Sequence, residues 1–165
     1  NIDESALLNQ YSNPIKICEG LASLKAKKIS SEFKNDIIIS GDTIVSIDND
    51  ILGKPQNNSE AYKMLDKLNN KTHTVFTGIS IQCQNKKIIH TFHESTRVTF
   101  NKISQDDIMF YIDNFDPYDK AGSYAIQDWS SIFVKKINGC FYNVVGFPLS
   151  KFFREFNKLE LKISK

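Results

Sequence analysis

Between Thr72 and Phe100 two runs rich in β-branched and aromatic residues, 72–82 and 88–100, flank the short polar connection Gln84-Asn85-Lys86-Lys87. That pattern predicts a long antiparallel hairpin and commits the chain to a sheet. Helical spacing appears on both sides of it. Leu21, Ala22, Leu24 and Ala26 predict a helix over about 18–32, and Ala61, Met64, Leu65 and Leu68 a second helix that Ser59 would cap. Ser104, with Asp106 and Asp107 in the first turn, starts a third toward Asn114, and Pro148 opens a last one with Phe152, Phe153 and Phe156 on its apolar face. Ile37-Ile38-Ile39 begins a strand that Gly41 interrupts and Ile44, Val45 and Ile47 continue. Its apolar character predicts burial on both faces, as in a central strand. Asp48-Asn49-Asp50 reads as a turn, and 131–137 as a further strand. The fold class is therefore α/β, with an antiparallel hairpin in place of regular βαβ alternation.

At 165 residues, with 41% apolar and 24% charged residues, the chain is long enough to bury a core as one domain. The formal charge of +2, from 21 basic and 19 acidic residues, argues against nucleic acid or a membrane as partner. No apolar run approaches the ~18 residues that span a bilayer. Cys18, Cys83 and Cys140 lie far apart in the chain and read as inert thiols in a reducing compartment, which makes the cytoplasm the expected location. Arg97 and Arg154 are the only arginines, so lysines must do most of the cationic work.

Two polar stretches carry the chemistry. In the first, 41–55, a strand delivers Asp42 and a turn returns Lys54, set between flexible Gly53 and stiff Pro55. An acid in an apolar strand costs free energy unless paired, hydrated or bound to metal; the alternative is a structural bend in which Asp42 bonds nearby amides. In the second, 119–127, Asp119 and Lys120 precede Ala121-Gly122, whose small side chains admit a ligand to the backbone. The competing reading of that pair is a surface salt bridge. Gln127 can donate and accept, which suits a base edge, although a lone Gln is also an ordinary loop residue. His73, His90 and His93 lack partners at ligand spacing and read as structural or surface residues outside the site. Trp129 and the C-terminal phenylalanines read as packing groups, and Lys27-Lys28 and Lys135-Lys136 as solvated faces.

With these residues in hand, the chain resembles the Maf family of nucleoside triphosphate pyrophosphatases. The matching motifs run in order: Ile2-Asp3-Glu4, Leu21-Ala22-Ser23-Leu24-Lys25-Ala26, Gly41-Asp42-Thr43, Leu52-Gly53-Lys54-Pro55, Thr72-His73 with Thr77-Gly78, 119–127, and 143–149. The resemblance implies an elongated mixed sheet with flanking helices, in two lobes around a central cleft. It implies metal-dependent cleavage of a nucleoside triphosphate to the monophosphate and pyrophosphate. Asp42 matches the family's proton acceptor, and Glu4, Lys25 and Lys54 its essential polar residues. Thr43 and Gln127 match the positions tied to dTTP and UTP preference, with Lys120 and Asp119 beside the substrate. Glu4 and Asp42 would hold the divalent ion, Mg²⁺ or Mn²⁺, and a homodimer is compatible with the resemblance. The rival functions are a house-cleaning pyrophosphatase for modified purine triphosphates and a non-catalytic nucleotide-binding regulator. Two departures stand out. The family's opening strand and its Ser-x-Ser-Pro-Arg-Arg phosphate loop have no counterpart, since the sequence starts at Asn1, and Asp128 stands where a glycine is usual after the glutamine.

Overall fold

The computed structural model describes residues 11–159. The expected hairpin is its centre: β3 (Thr72–Cys83) pairs along its length with β4 (Ile88–Phe100). β1 (Ile38–Ile47) flanks β3 on the other side and carries β2 (Asp50–Leu52) at its end, while β5 (Val134–Asn138) closes the far edge. Among the described residues the strand order is β2-β1-β3-β4-β5 and every pairing is antiparallel, where the resemblance implies a mixed sheet. The expected α/β class is met, with helices set against this sheet.

The first helix, α1 (Pro14–Ser30), starts a turn earlier than its apolar spacing predicts. Asn13 caps it, its side chain accepting from the amides of Ile15 and Lys16, and Pro14 sits where a missing N–H costs nothing. Asn57 rather than Ser59 caps α2 (Asn58–Leu68), and Ser104 caps α3 (Gln105–Asn114) as expected. Short α4 (Phe141–Val145) ends at Gly146, and α5 (Leu149–Asn157) follows Pro148. No helix among the described residues is long and apolar enough to cross a membrane.

β1 corrects two expectations. It runs unbroken through Gly41, and it is not buried on both faces, because Ile39 is 42% exposed. β2 covers only its last three residues, Val45 to Ile47. Among the described residues, 38–44 therefore form one open edge, and burial alternates there instead of running on. The sequence from 131 is likewise shorter as a strand than expected, because Trp129–Phe133 forms a 3-10 turn first.

Strand alternation sends side chains to two layers. On one face α1 packs against β1 and β3, where Ile17, Cys18, Leu21 and Ile44 form a core. The approach is close because β3 offers Gly78: a Cβ there would lie 2.4 Å from the backbone of Cys18. On the other face Val45, Val75, Val98 and Phe100 pack with α2 and α3 residues Leu65, Leu68, Ile108 and Tyr111. Trp129 joins this core, stacked at 15–21° on Tyr111 and Phe115, as expected of a packing group. Phe152 and Phe156 of α5 cover Ile79, Ile81 and Phe92, whereas Phe153, expected on the same apolar face, is exposed.

Candidate active site

A cleft of about 500 Å³ opens beside β1, whose 38–44 edge pairs with no strand among the described residues. It is lined by Lys25, Asp42, Thr43, Lys54, Asp119, Lys120 and Gln127. Every candidate singled out from the sequence within the described residues reaches it; Glu4 lies outside them. Four separate stretches contribute, and the local structure of each explains how.

Asp42 and Thr43 are consecutive on β1, so they project to opposite faces. Asp42 faces α1 and is ion-paired with Lys25, one helical turn past the core residue Leu21. The Asp42 side chain is 12% exposed, so it is enclosed yet reachable from the cleft. That ion pair is the pairing an acid in an otherwise apolar strand requires. Thr43 faces the other layer, where its Oγ1 lies 2.9 Å from that of Thr77.

The turn after β1 returns Lys54 as expected. Ile47 pairs with Asp50, and the two residues between them, Asp48 and Asn49, have φ of 52° and 68°. Two successive left-handed residues make the tight hairpin turn that Asn and Asp tolerate. Gly53 then accepts a hydrogen bond from the Gly122 amide at 3.0 Å, which ties the Lys54 loop to the 119–127 loop. Gly122 has φ of 69° and rests on Val45, so a side chain there would be strained and crowded at once. Lys54 itself is exposed and makes no hydrogen bond among the described residues. Its charge nevertheless acts on Asp119.

Lys120 is more committed to its own loop than expected. Its ammonium bonds the Asp116 carbonyl and the Asp119 carboxylate, the latter at 3.1 Å. The Lys120 hydrogen bond, with the charges of Lys120 and Lys54 behind it, holds the Asp119 carboxyl below its usual range. Gln127 projects into the cleft mouth with no side-chain hydrogen bond among the described residues. Its neighbour Asp128 explains itself. One carboxylate oxygen accepts from the Ser130 amide at 2.8 Å and the Ser130 hydroxyl at 2.6 Å, and the other from the Tyr111 hydroxyl at 3.0 Å. An acid at 128 thus pins the segment that carries Gln127 to α3.

The sequence reading gave no role to several residues that line or support the cleft. Tyr124 lines it and bonds buried His73 at 2.8 Å. Burial pushes the His73 imidazole down to about 4, so it is neutral near pH 7. The structural reading of the histidines holds for His90 and His93 as well, which bond Glu155 of α5 and Glu19 of α1. Val145, Gly146 and Phe147 line the cleft, and Asn143 lies fully buried behind it. Their only advance signal was membership of the motif at 143–149. The cysteines are free; Cys18 and Cys83 are buried and Cys140 is half-buried. Burial, helped by the nearby charges of Glu19 and Asp42, pushes the Cys18 thiol up to about 12, so it is inert as expected.

Chemically the cleft offers a semi-buried carboxylate held by a lysine, two further lysines beside the exposed Asp119, and two neutral hydrogen-bonding side chains, Thr43 and Gln127. Among the described residues, no three His, Cys, Asp or Glu side chains cluster to hold a metal ion.

Comparison with known proteins places the chain in a family. The family model described as "Maf-like protein" matches residues 1–159. A protein of Bacillus cereus named dTTP/UTP pyrophosphatase is 40% identical over 157 residues, which span 95% of this chain and 81% of that protein. Proteins of the same name from Bacillus mycoides and Bacillus anthracis are each 41% identical over the same shares.

Proposed function

The chain belongs to the Maf-like protein family, and on that premise we propose that it hydrolyses dTTP and UTP to the nucleoside monophosphate and pyrophosphate. The observation that carries this reading is convergence. Lys25, Asp42, Thr43, Lys54, Asp119, Lys120 and Gln127, from four stretches of chain, line one cleft, and relatives 40–41% identical over 95% of the chain bear the name dTTP/UTP pyrophosphatase.

Asp42 takes the proton from the attacking water. Its ion pair with Lys25 holds the carboxylate in place at the cleft, as a positioned base requires. Lys54, exposed at the rim, meets the triphosphate and neutralises charge that grows on the leaving pyrophosphate. Lys120, held by Asp116 and Asp119, adds positive charge beside it and keeps its loop in place. Thr43 and Gln127 read the base edge, on the side of β1 away from Asp42.

A divalent ion, Mg²⁺ or Mn²⁺, fits hard oxygen donors such as the Asp42 carboxylate, with retained waters completing its shell. Asp42 with Glu4 would hold it, and when bound it would polarise phosphate oxygens and acidify water. The test is a panel of common nucleoside triphosphates with Mg²⁺ or Mn²⁺ and chromatography of products. Monophosphate plus pyrophosphate, formed fastest from dTTP and UTP, is the expected outcome. Release of orthophosphate, or equal turnover of every triphosphate, overturns the reading, and preference for modified purine triphosphates would replace it with a house-cleaning activity.

A further inference from the structure

Thr43 and Thr77 stand directly opposite each other on β1 and β3. Their hydroxyl oxygens are 2.9 Å apart. A hydroxyl has one proton and two lone pairs, so a pair of hydroxyls alone leaves the direction of the bond open. Thr72 and Thr99, opposite each other at the exposed end of the hairpin, form such a pair. At Thr43 the direction is fixed. Thr77 is fully buried and donates its proton to the main-chain carbonyl of Asn143 at 3.0 Å. That carbonyl can only accept, and it also takes the Gly146 amide at 3.0 Å. Thr77 has no second proton, so its oxygen accepts from Thr43. Thr43 has then spent its own proton, and Oγ1 presents only lone pairs to the cleft it lines.

We infer that Thr77, anchored on the Asn143 carbonyl, sets Thr43 as an obligate hydrogen-bond acceptor and thereby selects uracil and thymine over cytosine. This rests on the reading of the cleft as a pyrimidine triphosphate site. Uracil and thymine carry N–H at ring position 3, between two carbonyl oxygens. Cytosine carries a bare nitrogen there, so two acceptors would face each other, a mismatch that polar sites reject strongly. Cytosine's amine is a donor, but it sits one ring position away. Meeting Thr43 with it would shift the base relative to Gln127, which lines the same cleft and has an amide able to donate to a carbonyl of the correct base. Gly146 keeps the acceptor open: a Cβ there would stand 3.5 Å from Thr43 Oγ1, at the mouth of the cleft. Thr77 touches no substrate in this scheme. It is a positioning residue that acts through Thr43.

The test compares wild type, Thr77→Val and Thr77→Ser by kcat/KM on UTP, dTTP and CTP, with N3-methyl-UTP added for the wild type and thermal melts for all three proteins. Wild type should prefer UTP to CTP, and UTP to N3-methyl-UTP, by at least about tenfold. Valine keeps the shape of Thr77 but frees the Thr43 proton, so the UTP-to-CTP ratio should fall by about tenfold, while serine keeps it. A parallel loss on all substrates with an unchanged ratio marks Thr77 as merely structural and overturns the inference. Should Thr77→Val not fold, N3-methyl-UTP decides: undiminished turnover overturns the inference, and loss of turnover supports it. A wild type inert on every pyrimidine triphosphate sinks the proposed function and this inference with it. A wild type active on UTP and dTTP with an unmoved ratio sinks this inference alone.

Discussion

Asp42 concentrates the chemistry because three properties meet in one side chain: it is enclosed, ion-paired with Lys25, and open to the cleft. Asp42→Asn keeps the shape but can neither accept a proton nor bring full charge. Turnover should fall by at least about 100-fold, the lower range for a positioned general base. The fold should survive, because Lys25 keeps 32% of its side chain exposed and can turn to water. Circular dichroism and a melt check the fold, and activity within about tenfold of wild type, worth ~1.4 kcal/mol of barrier, removes Asp42 from the role. Lys54→Ala separates differently. Lys54 is exposed, so the melt should not move, while KM for the triphosphate rises by about tenfold through lost phosphate attraction. An unchanged KM would assign Lys54 to the solvated surface. Asp42 and Lys54 were legible in the sequence because an acid in an apolar strand and a lysine between Gly and Pro are locally anomalous. Thr77 and Asn143 were not legible from their own neighbourhoods, because a threonine in a strand and an asparagine before two valines are ordinary. Their meaning comes from a carbonyl 66 residues away from Thr77 in sequence.

The elements hold these side chains in place through contacts that sequence periodicity does not record. The turn at Asp48-Asn49, the hairpin connection and the cap at Ser104 were readable because short polar residues dictate local geometry. The start of α1 was also written locally, in Asn13-Pro14, although apolar spacing drew attention to a later position. What could not be read was which layer each element joins. Gly78 shows why, since its need for glycine lies in the backbone of Cys18, on another element. Gly78→Ala would force α1 off β3, and α1 carries Lys25. The expected cost is about 3 kcal/mol, the upper range of overpacking, read from urea unfolding, together with loss of activity. Stability and turnover both like wild type would mean the helix yields without disturbing the site. Asp128→Ala makes the complementary case on the other loop. Losing the bonds to Ser130 and Tyr111 should cost about 1–2 kcal/mol, like a lost helix cap, and raise KM through a looser Gln127. A stable variant with unchanged KM would show that the segment is held by its apolar contacts alone.

For the whole molecule, the cleft and the core meet at His73. The imidazole is 2% exposed, edge-on to Phe100 and Tyr124, and bonds the Tyr124 hydroxyl that backs the cleft. Burial lowers it from 6.5 to about 4, so the folded protein holds it neutral while the unfolded chain protonates it at ordinary acidity. A group whose folded value is depressed contributes stability that is complete above its unfolded value and is lost as pH falls toward its folded value. Stability from this source should be flat above pH 6.5, decline between 6.5 and 4, and level off below. Its full extent is roughly 3 kcal/mol, at ~1.36 kcal/mol for each unit of difference. Carboxylates titrate near the low end of that window, so wild type alone does not isolate the imidazole. His73→Gln cannot gain a proton, and the difference between the two proteins does isolate it. Urea midpoints measured from pH 8 to pH 4 should converge for wild type and variant as acid is added, because the wild type loses an advantage the variant never had. Parallel curves would mean that His73 takes up its proton in the folded protein as readily as in the unfolded chain, so that burial does not hold it neutral.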